Sequence, residues 1–160
     1  MGVIRLARVA DAIGVHAVLF DARKSIPLTD EFGSEEYVAE VRRWCKARDV
    51  WVCEADGSIV GILCFFGGEV RYIAVVAEMR GSQIGGALIE RAKADAESKG
   101  WEGLTARTKP TNAPAIAVLR RAGFEFQDTE TTGDPNGWDH YRWSRTLTPR
   151  ELARVSRRGG

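Results

Sequence analysis

The chain has 160 residues, 44% of them hydrophobic, which suits one domain around a single core. Its formal charge of +1 excludes a molecule-wide field for polyanions, no apolar run reaches the length of a membrane span, and no secretory apolar stretch opens it. The charge is uneven, with five Arg and one Glu from Arg145 to Gly160; residues 148–160 read as a solvated basic tail after a domain at 1–147, and the lack of aromatics there disfavours nucleic acid and membrane.

Val3 to Val9 alternates apolar and polar residues as a strand does. Asp11 reads as the N-cap of a helix reaching Lys24, with Ile13, Ala17 and Phe20 as its apolar face. Ser25 to Gly33 is punctuated by Pro and Gly and reads as a loop. Ser34 caps a second helix, 35–48, with Tyr37, Val38, Val41 and Trp44 on one side. Strands follow at 50–55 and 59–66 around the Asp56-Gly57-Ser58 turn, and Gly67-Gly68 turns into a third at 69–76.

A long helix is expected over 83–99, with Ile84, Ala87, Leu88 and Ala92 as its stripe and Gly100 ending it. Then come a strand at 103–108, a short helix begun by Asn112 and stopped by Gly123, and strands at 124–131 and 138–147. Ala115, Ile116, Val118, Leu119 and Ala122 face inward on that short helix, and Asp134 to Gly137 turns the chain between the last strands. The order βααβββαβαββ describes one mixed α/β domain.

Cys45, Cys53 and Cys64 are odd in number and lack C-x-x-C spacing. They read as reduced core thiols of a cytoplasmic protein. No His, Cys and Asp cluster has metal-ligand spacing, and His16 reads as a packed histidine.

The segment from Glu69 to Gly100 carries the most chemistry. A β-branched strand enters a basic, glycine-bearing loop (Arg80, Gly81, Ser82, Gln83, Ile84, Gly85, Gly86) that opens directly into a helix. The first turn of a helix has unpaired N–H groups and partial positive charge, and glycines let a ligand approach the backbone; this order builds an anion site suited to phosphate. It is neither a P-loop, since no Lys-Ser or Lys-Thr follows the glycines, nor a G-x-G-x-x-G dinucleotide fingerprint.

The stretch IAVVAEMRGSQIGGALIERA resembles the acyl-CoA signature of the GNAT superfamily of N-acetyltransferases, and NAPAIAVLRRAGFE resembles that family's second signature. The resemblance covers nearly the whole chain. It implies an acyl-CoA N-acyltransferase fold, a mixed but mostly antiparallel central sheet flanked by helices. It also implies acetyl-CoA as cofactor, and direct transfer to a primary amine of a small molecule or amino acid. A protein or peptide amine, or a catalytically silent acyl-CoA-binding module, remains open beside it. So does a homodimer, the common state in that family.

On this resemblance, N–H groups from Gly81 to Gly86 hold the pyrophosphate, with Arg80 adding charge. Ile73, Ala74 and Val75 pair their backbone with the pantetheine arm, one N–H polarising the thioester carbonyl. Asn112 and Ala115 meet the cofactor from the short helix, and Arg120 and Arg121 are candidates for its adenosine phosphate. Two positions depart from the pattern. Gln83 stands where the family has its middle glycine, and Leu119 where many members place a tyrosine that protonates the leaving thiolate. Tyr141 is the first candidate to replace that acid, with Tyr72 and His140 behind it, and Glu69 is the candidate base. Acceptor specificity is expected from 25–36, whose Asp30, Glu31, Glu35 and Glu36 suit a cationic amine, and from the loop around Asp134.

Overall fold

The computed structural model describes residues 2–22, 35–131, 133, 137–146 and 149–158. The elements are β1 (Val3–Leu6), a 3-10 turn (Val9–Asp11), α1 (Ala12–Asp21), α2 (Glu35–Lys46), β2 (Val50–Ala55), β3 (Ser58–Phe66) and β4 (Glu69–Val75). A second 3-10 turn (Ala77–Met79) follows, then α3 (Ile84–Ser98), β5 (Gly103–Thr108), α4 (Ala113–Arg121), β6 (Glu125–Glu130), β7 (Trp138–Ser144) and α5 (Pro149–Arg158). The expected order is present, and the segment read as a tail carries α5, tethered by a 2.8 Å ion pair between Arg145 and Glu151.

The strands form one sheet in the order β1-β2-β3-β4-β5-β7-β6. Every pairing is antiparallel except β4 with β5. Two tight hairpins set its centre. Ala55 faces Ser58 across Asp56 and Gly57, and Phe66 faces Glu69 across Gly67 and Gly68. All four turn residues have positive φ, as the twist-matched two-residue turn requires.

Helices cover both faces. Val50, Val52, Ile62 and Cys64 pack under α1 and α2; Trp51, Leu63, Phe65 and Val70 pack under α3 and α4. Burial on both faces explains the nearly unbroken apolar runs in β2 and β3. Gly61 lets α3 lie close: a Cβ there would fall 2.6 Å from Ile84 and 3.3 Å from Leu88. Cys45, Cys53 and Cys64 are all buried and unbridged, and burial raises each thiol's pKa, that of Cys45 to about 11.

Two expected helix faces are corrected. On α1, Ile13 is 67% exposed and Phe20 40% exposed, while Ala12, Val15, Val18 and Leu19 are buried. The helix is apolar nearly all round, so spacing alone does not select the buried side. On α3 the buried stripe is Gly85, Leu88, Ile89, Ala92 and Ala96, with Ala87 exposed.

Asp11 is not a side-chain N-cap of α1. Its carboxylate accepts from the Arg8 N–H at 2.7 Å and from Arg5 at 2.7 and 3.1 Å, and Arg5 also reaches Glu54 at 2.8 Å. A charged cap of the 3-10 turn thus ties β1 to β2. The loop expected at 25–33, the Ser34 cap and the turn at 134–136 lie outside the described residues.

Candidate functional site

The site is made by a gap in the sheet. Glu69 faces Thr105 and Val70 faces Ala106, and the β4–β5 ladder ends there. Beyond Val70, β4 pairs with β3 alone. The Val76 N–H donates to the Val60 carbonyl at 2.9 Å, which fixes the phase of that ladder. Antiparallel pairing alternates inward and outward backbone groups, so Ala74 and Tyr72 bond toward β3 while Ile73 and Val75 turn theirs to the open edge. The Val75 carbonyl accepts from Arg80 Nε at 3.3 Å on that side.

The open edge runs to the N-terminus of α3. Ala87 makes the first bond inside that helix, to the Gln83 carbonyl at 3.0 Å. The N–H groups of Ile84, Gly85 and Gly86 therefore have no helical acceptor, and the positive end of the helix dipole lies among them. Edge and helix end share one cavity of about 1060 Å³, lined by Ile73, Ala74, Val75, Arg80, Gly81, Gln83, Ile84, Gly85, Gly86, Asn112 and Ala115. A Cβ on Gly86 would meet no protein atom within 4 Å and would stand in that space. The expected order of strand, glycine loop and helix N-terminus is present, and the cavity beside it is as large as small-molecule clefts become.

Two expected loop residues behave differently. The Ser82 hydroxyl turns to the Met79 carbonyl, and Ser82 does not line the cavity. Gln83, where a glycine was expected, is the N-cap of α3 with φ +67°, in the left-handed region that strains a side-chain-bearing residue. On the far wall Asn112 Oδ1 accepts from the Ala115 N–H at 3.3 Å, capping α4. Arg121 lines the cavity and Arg120 does not. Pro114, Val118 and Arg121 share one helical side facing this space, and Gln83, Ala87 and Glu90 do the same on α3. Spacings of three and four residues in the sequence carry that signal; Val118 and Ala87, expected in the core, line the cavity.

A cleft of about 40 Å³ continues from the cavity, sharing Ile73, Asn112 and Ala115 with it. It is lined further by Arg71, Tyr72, Arg107, Leu119 and Trp138. The pairs Cys64–Tyr72 and Phe65–Val70 leave Arg71 as an extra residue in β4. This bulge puts Glu69 on the same sheet face as Tyr72, opposite Ile73. Glu69 lines neither cavity and meets the cleft through its arginines: Oε1 is 3.2 Å from Arg71 Nε and 4.0 Å from Arg107 Nε.

Of the acid candidates, Tyr72 lines the cleft; burial raises its pKa, with a hydrogen bond from Tyr37 as a smaller opposing effect. Its ring stacks on Trp44 at 6.1 Å. Tyr141 is not brought to the site. It is 2% exposed in the α3 and α4 core, edge-on to Phe126, and lines neither cavity. Its position on β7 opposite Ala106 puts the ring in the core cluster with Leu104, Leu119 and Phe124. His140 lies between Asp128 and Glu130 at 3.3 and 3.1 Å. The acidic residues expected to bind the acceptor, Asp30 and Glu31, lie outside the described residues. Among the described residues, no helix is long and apolar enough to cross a membrane, and no group of His, Cys, Asp and Glu could hold a metal ion.

The family model for the acetyltransferase (GNAT) family matches residues 18–124. No curated protein matches the chain. Among solved structures, a ribosomal-protein-alanine N-acetyltransferase from Brucella melitensis is 22% identical with a TM-score of 0.75, covering 89% of this chain and 99% of its own. The paia N-acetyltransferase of Thermoplasma acidophilum, in complex with coenzyme A, is 15% identical with a TM-score of 0.71, covering 91% and 99%. The structure of yncA from Salmonella typhimurium with its cofactor acetyl-CoA is 18% identical with a TM-score of 0.75, covering 93% and 98%. These similarities concern the fold.

Proposed function

The chain belongs to the acetyltransferase (GNAT) family, and from that premise we propose that it moves an acetyl group directly from acetyl-CoA to the primary amine of a small molecule or amino acid. One observation carries this reading: the unpaired β4 edge at Ile73 and Val75 leads into the unpaired N–H groups of α3 within a single cavity. Such an edge pairs with an extended amide-bearing arm as with another strand, and the helix end takes a pyrophosphate. Acetyl-CoA has both parts and supplies an activated acetyl thioester. We infer a cytoplasmic location from the three buried, unbridged thiols.

The residues divide the work as follows. Gly85, Gly86 and the backbone of Gly81 to Ile84 hold the phosphates, with Arg80 and Arg121 adding charge at the cavity wall. The Ile73 N–H, fixed by its strand and already turned outward, polarises the thioester carbonyl without reorganising. Asn112 and Ala115 close the arm from α4. Glu69, held by Arg71 and Arg107, takes a proton from the acceptor ammonium directly or through water, freeing the amine lone pair for attack. Tyr72 supplies the proton to the thiolate; a phenol is protonated near neutral pH, and burial raises its pKa further.

A second reading is favoured by Leu119, which is 2% exposed where an acid was expected and cannot donate a proton. With the strained Gln83 it fits a silent acyl-CoA-binding module. A thiol-release assay with acetyl-CoA and an amine panel that includes peptides separates the readings. Slow release without acceptor, accelerated by small amines, supports the enzyme; acceleration by peptides alone moves the acceptor to protein. Binding of acetyl-CoA with no turnover across the panel supports the silent module.

A further inference from the structure

Resting on the transfer reading above, we infer that the acceptor is an amine bearing a carboxylate close by, an α-amino-acid-like zwitterion, and that Arg71 and Arg107 hold its carboxylate. The small cleft opens from the thioester end of the main cavity through Ile73, so its contents lie beside the reacting carbonyl. Its volume of about 40 Å³ admits a small polar group.

Two arginines line this cleft from different strands, Arg71 at the bulge in β4, its guanidinium over the Phe66 ring at 5.2 Å, and Arg107 from β5. Among the described residues, Glu69 is the one carboxylate paired with either, and both contacts use the Arg Nε atoms. One negative charge therefore serves two positive ones. A guanidinium carries five donors in a planar fork, so both retain N–H groups suited to a second carboxylate. Both side chains are reachable, Arg71 at 48% and Arg107 at 35% exposure.

Trp138 stiffens this wall. Arg107 lies 4.9 Å and Lys109 4.2 Å from its ring centroid. Stacking orders the Arg107 fork before any ligand arrives, and the same ring holds the Lys109 charge beside it. A simple alkylammonium would meet that field as repulsion. A zwitterion satisfies it from both ends, with its ammonium toward Glu69 and its carboxylate toward Arg71 and Arg107.

The test compares L-alanine, L-methionine, L-glutamine and L-phenylalanine with their carboxamides and their decarboxylated amines, as acceptors for acetyl-CoA in the thiol-release assay. At least one acid should exceed its amide and its amine by tenfold or more in kcat/KM, mostly through KM. Arg107→Gln should shrink that preference to within threefold, and Arg107→Lys should restore part of it. Arg71→Gln repeats the measurement should R107Q fail to fold, with the acetyl-CoA melting shift as the folding control. Equal use of acids and amides overturns the clamp and leaves the transferase standing, as does a preference that survives both Gln variants. Should no amine be used while acetyl-CoA still binds, the transfer reading fails, and melting of the coenzyme A complex with each acid against its amide decides the clamp. Stabilisation by the acid alone, lost in R107Q, upholds it, and equal effects overturn it.

Discussion

Val70 faces Ala106 in the last pair that joins β4 to β5, and from Ile73 onward the outer edge of β4 is bare. Neighbouring strands lie within about 5 Å where they pair, so a ladder that stops midway leaves a wedge lined by backbone N–H and C=O groups. A bare edge normally invites aggregation. Here α3 and α4 flank it, leaving room for a thin extended ligand.

Val75→Pro tests that edge. Val75 turns its N–H outward, so proline removes no β3 ladder bond while deleting a donor to the cavity. The expected result is at least a tenfold loss of acetyl-CoA affinity by calorimetry, about 1.4 kcal/mol, with a much smaller change in melting temperature. Full affinity in this variant would remove strand-like pairing from the binding mode.

Gln83→Gly should tighten cofactor binding. The left-handed φ of +67° costs a non-glycine residue about 1 kcal/mol, and glycine removes that cost while adding unfolded-state entropy of similar size. Global stability should therefore shift little. The dissociation constant for acetyl-CoA should fall several-fold as the loop closes freely on the phosphates, roughly 1 kcal/mol. Weaker binding would show instead that the Gln83 side chain itself holds the ligand.

Much of this was readable in advance, and for reasons of physics. The hairpins followed from Asp56-Gly57 and Gly67-Gly68, whose positive φ values few other pairs tolerate. The free N–H groups at the start of α3 followed because they belong to backbone, which strand, glycine loop and helix N-terminus position together. The buried side of α1 was hidden, because Ile13 and Phe20 are as apolar as Val15 and Leu19 and only tertiary packing distinguishes them. The bulge at Arg71 was hidden too. It puts Glu69 opposite Ile73 despite their even spacing, and it brings Arg71 to Arg107 from strands distant in sequence. Tyr141 illustrates the converse: an aromatic on a strand bordering the site says nothing about which face it takes.

Glu69→Gln should lower kcat/KM by about 10² at neutral pH, the usual contribution of a positioned base. The deficit should shrink as pH rises toward the pKa of the acceptor ammonium, because the amine then arrives already deprotonated. Its ion pairs are partly exposed, so the melting temperature should hardly move. A pH-independent deficit would assign Glu69 to positioning Arg71 and Arg107.

Tyr72→Phe and Tyr141→Phe form a matched pair. Tyr72 lines the cleft beside Ile73, whereas Tyr141 is sealed in the core. Y72F should reduce kcat about tenfold or more with acetyl-CoA affinity retained. Y141F should leave kcat within about twofold, its effect confined to stability at roughly 1 kcal/mol. The reverse pattern in single-turnover measurements would reinstate Tyr141 as the acid.

Asp11 gives the fold a pH-dependent contribution with a definite sign. Its pKa is lowered from 3.8, chiefly by the hydrogen bonds from Arg5, which outweigh the opposing effect of burial. A depressed carboxylate stabilises the native state above the ordinary carboxylate range, and the contribution is lost as pH falls through the native value. Asp11→Asn should cost about 1 to 3 kcal/mol at neutral pH, the range for charge-assisted hydrogen bonds to a partly buried group. Because the native pKa lies below 3.8, the melting-temperature gap between wild type and D11N should persist down to that pH and close below it. Scanning calorimetry from pH 7 to pH 2 reads this directly. A gap constant to pH 2 would mean that the loss in D11N comes from the altered cap at Arg8, not from the charge facing Arg5.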